Sequence, residues 1–313
     1  MPERCRYAPT PSGPAHPGTL LAGLLCWLDA RSRGGHLLLR LEDVDRERCT
    51  PGFAAEMRDA LRWLGLDWDA EAIQSQRRAR HEAALDRLAR QGLLYPCDCS
   101  RSEIRRTATR ASDGGWRYPG TCRDRQLPAE GWRNSGAALR LRLPRGTVAV
   151  SDEGGWPLGQ EPLAELGDPV VRRRDGDIAY HLAVTVDDDT DGITRVVRGH
   201  DLAPATAIHR FLQEALELPT PRYRHHLLLL EESGDKLAKL HGAVGWRELS
   251  QRATAQRVTG ILAHAAGLLD APVDTTPAAL LKGFDWGRVT RDDQVMQWHA
   301  GELCHVGAGS AAN

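Results

Sequence analysis

The segment Arg6-Tyr7-Ala8-Pro9-Thr10-Pro11-Ser12-Gly13-Pro14-Ala15-His16-Pro17-Gly18-Thr19 carries the residue types of a phosphate cradle. A short extended start runs into a Pro/Gly-rich turn, and His-x-Gly-Thr then opens an apolar helix. Glycine lets phosphate oxygens approach the backbone. A helix N-terminus offers unpaired N–H groups at the positive end of its dipole, and His16 can donate to a phosphate. Far downstream, Glu232-Ser233-Gly234-Asp235 forms a turn leading into Lys236-Leu237-Ala238-Lys239-Leu240. Lys236, Lys239 and Lys282 are the only lysines, so a pair three residues apart is conspicuous. Two mobile point charges in a loop can both face one anion and follow phosphate charge as it develops in nucleotidyl transfer. Taken singly, each segment has a plain reading, a proline-rich turn and a solvated lysine loop. Together they indicate a site that uses ATP.

A second constellation is Cys97-x-Cys99 with Cys122, in a loop-rich, glycine-containing stretch, and Tyr118 lies four residues before the last cysteine. Thiolates favour zinc, and a small module with little core gains from a metal cross-link. Three thiolates leave a fourth corner open, for which His or Asp is the ordinary ligand; free buried thiols are the plain alternative. Cys5, Cys26, Cys49 and Cys304 read as isolated core or surface thiols.

The elements that must position these groups follow from periodicity. Leu20, Leu21, Leu24, Leu25 and Leu28 recur at helical spacing, and Gly34-Gly35 ends the run. His36–Leu41 reads as a buried strand that delivers Glu42-Asp43-Val44-Asp45 at its carboxyl end. Thr50-Pro51 reads as N-cap and first residue of a helix carrying Phe53, Met57, Leu61 and Leu64, and another helix spans roughly 76–90. This alternation indicates an α/β fold with an open, mostly parallel sheet, which binds ligands beyond the carboxyl ends of its strands. From about residue 93 short strands (Ala138–Leu143, Thr147–Ser151) replace the alternation, and 170–186 reads as a hairpin turning at Asp175-Gly176. A strand near 194–198, a helix over roughly 202–216 and a strand at Leu227–Leu230 resume the first pattern. Residues 247–300 read as helical, and Gly307–Asn313 as a frayed tail.

At 313 residues and net charge −1 the chain has room for roughly two domains and no global basic field, so any nucleic acid must meet local patches. Arg101, Arg105, Arg106 and Arg110 form one such patch; Arg172-Arg173-Arg174 reads first as an exposed strand face. His225-His226 reads as strand-flanking surface, and Asp187-Asp188-Asp189 with Asp191 as a solvated loop. Seven cysteines argue against a disulfide framework, and no segment has the apolar length of a leader or a membrane span. A cytoplasmic, monomeric enzyme without a membrane partner is the expectation.

The two phosphate-directed segments resemble the signatures of class I aminoacyl-tRNA synthetases. His16-Pro17-Gly18-Thr19 stands where that family has His-Ile-Gly-His, and Lys236-Leu237-Ala238-Lys239-Leu240 where it has Lys-Met-Ser-Lys-Ser. The second histidine is missing, and Ala238 and Leu240 replace serines. Arg6–Gly13, Arg40-Leu41-Glu42-Asp43-Val44-Asp45, Leu64-Gly65-Leu66-Asp67-Trp68-Asp69 and Val197-Arg198-Gly199-His200-Asp201-Leu202 narrow the resemblance to the glutamyl branch, over about residues 4 to 245. It implies a Rossmann-like catalytic domain with an inserted zinc-containing module and a short C-terminal helical stem. It implies His16, Lys236 and Lys239 as catalytic residues, and His16, Gly18, Thr19 and Lys239 as ATP-binding, with magnesium accompanying ATP. Arg6, Tyr7, Ala8, Pro9, Thr10, Glu42, Tyr180 and Arg198 match the glutamate-binding positions. The chemistry agrees: the ammonium calls for a carboxylate such as Glu42, and the two carboxylates call for guanidinium forks such as Arg6 and Arg198.

Cys97-x-Cys99 followed by Tyr118-x-x-x-Cys122 resembles the site of one zinc ion in a shortened subgroup, the glutamyl-Q tRNA(Asp) synthetases. About 70 residues follow Leu240, enough for a short helical stem and not for an anticodon-binding domain. The expected organisation is therefore a split catalytic domain at 1–92 and 190–245, an inserted zinc-binding, acceptor-contacting module at 93–189, and a stem-contact region at 246–313. The resemblance implies activation of L-glutamate as glutamyl-adenylate and transfer to the queuosine base at the wobble position of tRNA(Asp). The alternatives are a truncated glutamyl-tRNA synthetase charging a tRNA end, a small-molecule nucleotidyltransferase, or an inactive RNA-binding paralogue.

Overall fold

The computed structural model describes residues 3–234, 245–299 and 302–309. Through Ile73 the chain runs β1 (Arg4–Tyr7), α1 (Pro17–Ser32), β2 (His36–Leu41), α2 (Pro51–Leu64) and β3 (Ala70–Ile73). It continues through α3 (Arg78–Arg90), β4 (Leu94–Cys97), α4 (Arg101–Thr107), β5 (Ala138–Leu141), α5 (Pro162–Glu165), β6 (Val170–Arg172) and α6 (Tyr180–Thr190). Next come β7 (Arg195–Gly199), α7 (Thr206–Ala215), β8 (Arg222–His226) and β9 (Leu229–Leu230). The last elements are α8 (Trp246–Arg252), α9 (Ala255–Ala265), α10 (Pro277–Leu281), β10 (Asp293–His299) and β11 (Glu302–Gly309). These divide into two compact units. The first takes in the chain up to Ile73, Thr194–His200 and the residues from Arg224 onward; the second is Gln74–Ile193 with Asp201–Tyr223.

The first unit is built on a five-stranded sheet ordered β3-β2-β1-β7-β8, in which β1 pairs parallel with both β2 and β7, and β2 with β3. A parallel sheet covered on both faces needs near-continuous apolar strands, and Leu37–Leu41 of β2 is buried throughout, Arg40 included. α1 is buried on almost every side because it lies in a single core with Leu61 and Leu64 of α2 and Ile261 and Leu262 of α9. α2 starts and stops as its sequence dictates. The Thr50 hydroxyl caps Phe53 N, Pro51 fills the first turn, and Gly65 closes the helix at φ 86°.

The C-terminal part departs from an all-helical expectation. β10 and β11 form an antiparallel hairpin, and β10 also pairs parallel with β9. The strand therefore occupies 293–299, inside the stretch read as helical, and β11 extends to Gly309, into the stretch read as a frayed tail. Asp293-Gln294-Val295-Met296-Gln297 has no apolar alternation to betray a strand; pairing with β9, more than 60 residues earlier, selects it.

The second unit holds an antiparallel sheet ordered β4-β5-β6. Leu139, Leu141 and Val171 of the sheet share a core with Leu85 and Leu88 of α3, Leu182 of α6 and Leu212 of α7. The strand expected at Thr147–Ser151 is absent: Val148 N bonds to Gln160 O across a loop, and no ladder follows. The hairpin expected over 170–186 keeps its first arm and its turn, with Arg173 N donating to Asp177 O at 2.7 Å and Gly176 at φ 91°. Its second arm is the helix α6, because Leu182, Ala183 and Val186 meet the core at helical spacing.

The aspartates of α6 are likewise not a solvated loop. Asp187 is fully buried, accepting from Gln74 Nε2 at 2.8 Å and lying 2.9 Å from His81 Nε2, while Arg77 forks onto Asp191. A buried carboxylate needs such partners, and here they tie the segment Gln74–Arg90 to α6. Arg172 lies over the Trp132 ring and Arg173 pairs with Asp175 and Asp177, so only Arg174 of that triplet is exposed.

Candidate active site and metal centre

Parallel pairing of β1, β2 and β7 puts their carboxyl ends on one edge of the first unit's sheet. Arg6 sits near the end of β1, Glu42 just past β2 and Arg198 near the end of β7, and all three are at most 6% exposed. Buried charges require partners. Arg6 Nη1 donates to Val197 O at 3.3 Å, Arg40 Nη2 lies 3.3 Å from Glu42 Oε1, and Arg198 Nε donates to His225 Nε2 at 3.0 Å. In the last contact the guanidinium N–H donates and the His225 ring nitrogen accepts.

His225 and His226 are buried residues of β8, not strand-flanking surface. The apolar run Leu227–Leu230 drew attention away from the polar strand before it, and nothing in the sequence marks His225 as a partner of Arg198. Among the matched positions at the start of the chain, Tyr7 is a core residue whose hydroxyl donates to Thr19 O at 2.8 Å. Ala8, Pro9 and Thr10 lead away from it, and Pro9 O accepts Glu42 N at 3.0 Å, tying that loop to the end of β2. Tyr180 belongs to the second unit, where it is the first residue of α6 and packs edge-on against His181 and His209.

His16 is the N-cap of α1 in extended conformation, and its side chain makes no capping bond. Among the described residues its Nδ1 is buried without a hydrogen-bond partner. Gly18 and Thr19 form the first turn, next to Pro17. An unpartnered imidazole nitrogen beside the open N–H groups of a 16-residue helix is arranged for an anion. Burial lowers the His16 pKa from 6.5 to about 4, so the ring is neutral near pH 7. Lys236, Ala238, Lys239 and Leu240 lie outside the described residues.

In the second unit the sulfurs of Cys97, Cys99 and Cys122 all lie within 4.8 Å of one another, with Cys99 and Cys122 3.6 Å apart. The Tyr118 hydroxyl turns into this cluster, 3.4 Å from Cys97 Sγ and 3.9 Å from Cys99 Sγ, and accepts Cys122 N at 2.8 Å. Three thiols and a phenol oxygen converging on one point suit a tetrahedral metal ion. Three features hold Tyr118 there. The Arg140 guanidinium lies 3.6 Å from the centre of its ring. Its N bonds to Leu166 O. Its backbone also lies so close to Gly167 that a Cβ there would come within 2.4 Å of Tyr118 O, while φ 75° at Gly167 further demands glycine. Arg140 Nη1 in turn donates to the carbonyl of the buried Asp168, whose carboxylate takes the Tyr95 hydroxyl, Arg123 and Leu143 N.

The parallel-sheet α/β fold is that of a class I aminoacyl-tRNA synthetase catalytic core. Residues 3–255 match the model of the family "tRNA synthetases class I (E and Q), catalytic domain". A glutamate tRNA ligase from Elizabethkingia meningosepticum, solved with its amino acid, superposes with a TM-score of 0.76 at 23% identity, covering 94% of this chain and 67% of that one. The glutamyl-Q tRNA(Asp) synthetase of Nocardia farcinica is 42% identical over 297 residues, 93% of this chain and 92% of its own. That of Symbiobacterium thermophilum is 41% identical over 305 residues, 92% of this chain and 94% of its own. The chain belongs to the glutamyl-Q tRNA(Asp) synthetase family of class I synthetases.

The neutral His16 has a consequence for stability. Its folded pKa is below the unfolded value, so the unfolded chain binds a proton that the folded chain refuses, and stability falls as pH drops from 6.5 towards about 4. His16→Gln removes this component. Urea midpoints measured across that window fall less steeply for the variant than for the wild type; equal slopes would show that His16 protonates without cost.

Proposed function

We propose that the protein activates L-glutamate with ATP as glutamyl-adenylate and transfers the glutamate to the queuosine base at the wobble position of tRNA(Asp). The observation that carries this reading is identity above 40% over more than nine-tenths of both chains to relatives that bear that name. The buried set Arg6, Glu42 and Arg198 at one sheet edge supports it, since the charges complement an amino acid with a second carboxylate.

In the first step the glutamate α-carboxylate attacks the α-phosphorus of ATP and pyrophosphate leaves. Glu42 holds the ammonium and Arg6 and Arg198 hold the carboxylates, with the Tyr7–Thr10 backbone beside them. His16, the N–H groups at Gly18 and Thr19, and Lys239 with Lys236 meet the phosphate charge that develops, most strongly in the transition state. Magnesium accompanies the nucleotide. In the second step a cyclopentenediol hydroxyl of queuosine attacks the activated carbonyl, its proton passes to the adenylate phosphate, and AMP leaves. Cys97, Cys99, Tyr118 and Cys122 would hold one structural zinc ion, which would cross-link the loops around the cysteines outside the module's main core. Catalytic residues lie in 1–92 and 190–245, the 93–189 module meets the acceptor, and 246–313 meets an RNA stem. A cytoplasmic monomer fits the reading, and among the described residues no helix is long and apolar enough to cross a membrane.

Glutamate-dependent pyrophosphate exchange should proceed without tRNA, and labelled glutamate should appear at the anticodon of tRNA(Asp) only when queuosine is present. Label at the terminal adenosine would instead indicate a truncated glutamyl-tRNA synthetase, and absence of exchange would exclude an adenylate-forming enzyme.

The His225 contact adds a sharper expectation. His225→Leu should raise the glutamate KM about tenfold, the order lost with a hydrogen bond to a charged group, and His225→Gln, which keeps an acceptor, should restore it. An unchanged KM in the leucine variant would separate His225 from glutamate binding.

For the metal site, Cys122→Ala should lose about one equivalent of zinc by elemental analysis. Full retention would move the ligand set elsewhere.

A further inference from the structure

The second unit contains a cleft of about 340 Å³, within the range of small-ligand sites, lined mostly by residues that the adenylate-forming step leaves without a role. Trp116, Asp113, Arg140, Tyr180 and His181 contribute to its wall, and Tyr118 forms part of its floor beside the cysteine cluster. Trp116 is the one aromatic among the described residues with a large exposed apolar side chain, 37% open to solvent. A small hairpin holds it there. Arg110 and Trp116 form an antiparallel bridge, Arg117 N donates to Thr109 O, and Ala111 N to Gly115 O, around a turn with Gly114 at φ 79°. Two exposed arginines lie over the indole, with the Arg110 guanidinium 4.5 Å and that of Arg105 5.6 Å from its centre, where an incoming base would displace one of them. They belong to the basic patch on and after α4, which the two-step reaction leaves without a role.

Aromatic platforms edged by guanidinium groups are how proteins hold unstacked bases of single-stranded RNA. We propose that this cleft seats the acceptor base, flipped out of its loop and stacked on Trp116, with Arg105 and Arg110 against the flanking phosphates. The inference rests on the proposed function and adds the place of the acceptor to it. Asp113, whose Oδ1 accepts from Gly115 N, supplies a carboxylate for the secondary ammonium in the side arm of queuosine.

The test runs wild type, Trp116→Ala and Trp116→Phe through two assays, glutamate-dependent pyrophosphate exchange without RNA and transfer to queuosine-bearing tRNA(Asp). Exchange should be unchanged in all three. The KM for tRNA should rise about tenfold in the alanine variant, as loss of one base–aromatic stack predicts, and the phenylalanine variant should recover most of it. A tRNA KM equal to wild type in Trp116→Ala overturns the proposal, and so does a parallel fall of exchange and transfer, which would mark Trp116 as structural. If the wild type exchanges but does not label queuosine, the functional reading fails instead. Fluorescence anisotropy with a queuosine-bearing anticodon stem-loop then decides on the cleft: weaker binding by Trp116→Ala upholds it, equal binding overturns it.

Discussion

The first unit hangs on one buried ion pair. Arg195 of β7 forks onto Asp29 of α1 at 2.6 and 3.0 Å, neither residue has any exposed surface, and Trp286 Nε1 donates to the same carboxylate at 2.6 Å. Removing one partner of such a pair leaves an uncompensated charge in a core, a loss of about 3–5 kcal/mol. Helix and strand therefore cannot slip past each other without breaking it. The pair sits near the C-terminal end of α1 and the start of β7; the ends it keeps in register carry His16 and Arg198. Strand pairing of β1 with both β2 and β7 then brings Arg6 and Glu42 to the same edge as Arg198.

The second unit solves a different problem. Its main core lies between the β4-β5-β6 sheet and three helices, and around the cysteines Tyr95 and Cys97 of β4 join Tyr118 and Cys122 in a small cluster of their own. Asp168 anchors that small cluster to the sheet through Tyr95 and Arg123, and through Arg140, which also covers Tyr118. Tyr118 is thus oriented toward the cysteines by an arginine, a glycine and a buried aspartate before any metal is considered. Such outer partners matter for a metal site because they fix the geometry of its ligands in advance.

Groups that work on buried polar contacts across the fold explain most departures from the sequence reading. A histidine before a leucine run looks like surface until β8 forms beside β7 and Arg198 needs an acceptor. A run of aspartates looks solvated until Gln74, Arg77 and His81 come from more than 100 residues earlier to surround it. β10 looks like nothing in particular until β9 offers an edge.

Local rules, by contrast, act within a few residues and can be read directly. The Thr50-Pro51 start of α2 and its Gly65 stop, the buried β2, the apolar α1 opened by His16-Pro17-Gly18-Thr19, and the Cys97, Cys99, Tyr118, Cys122 spacing are all set by neighbours in the chain. The sequence by itself determined the α/β class, the family and the residue types that could do the chemistry, because capping, periodicity and motif spacing are short-range. Only the tertiary structure decided the contact of His225 with Arg198, the buried partners of Asp187 and Asp29, the strands at 293–299 and 302–309, and the Trp116 cleft. Each of these depends on two distant segments excluding water together, and a buried charge or an unpaired strand edge chooses its partner by proximity in space.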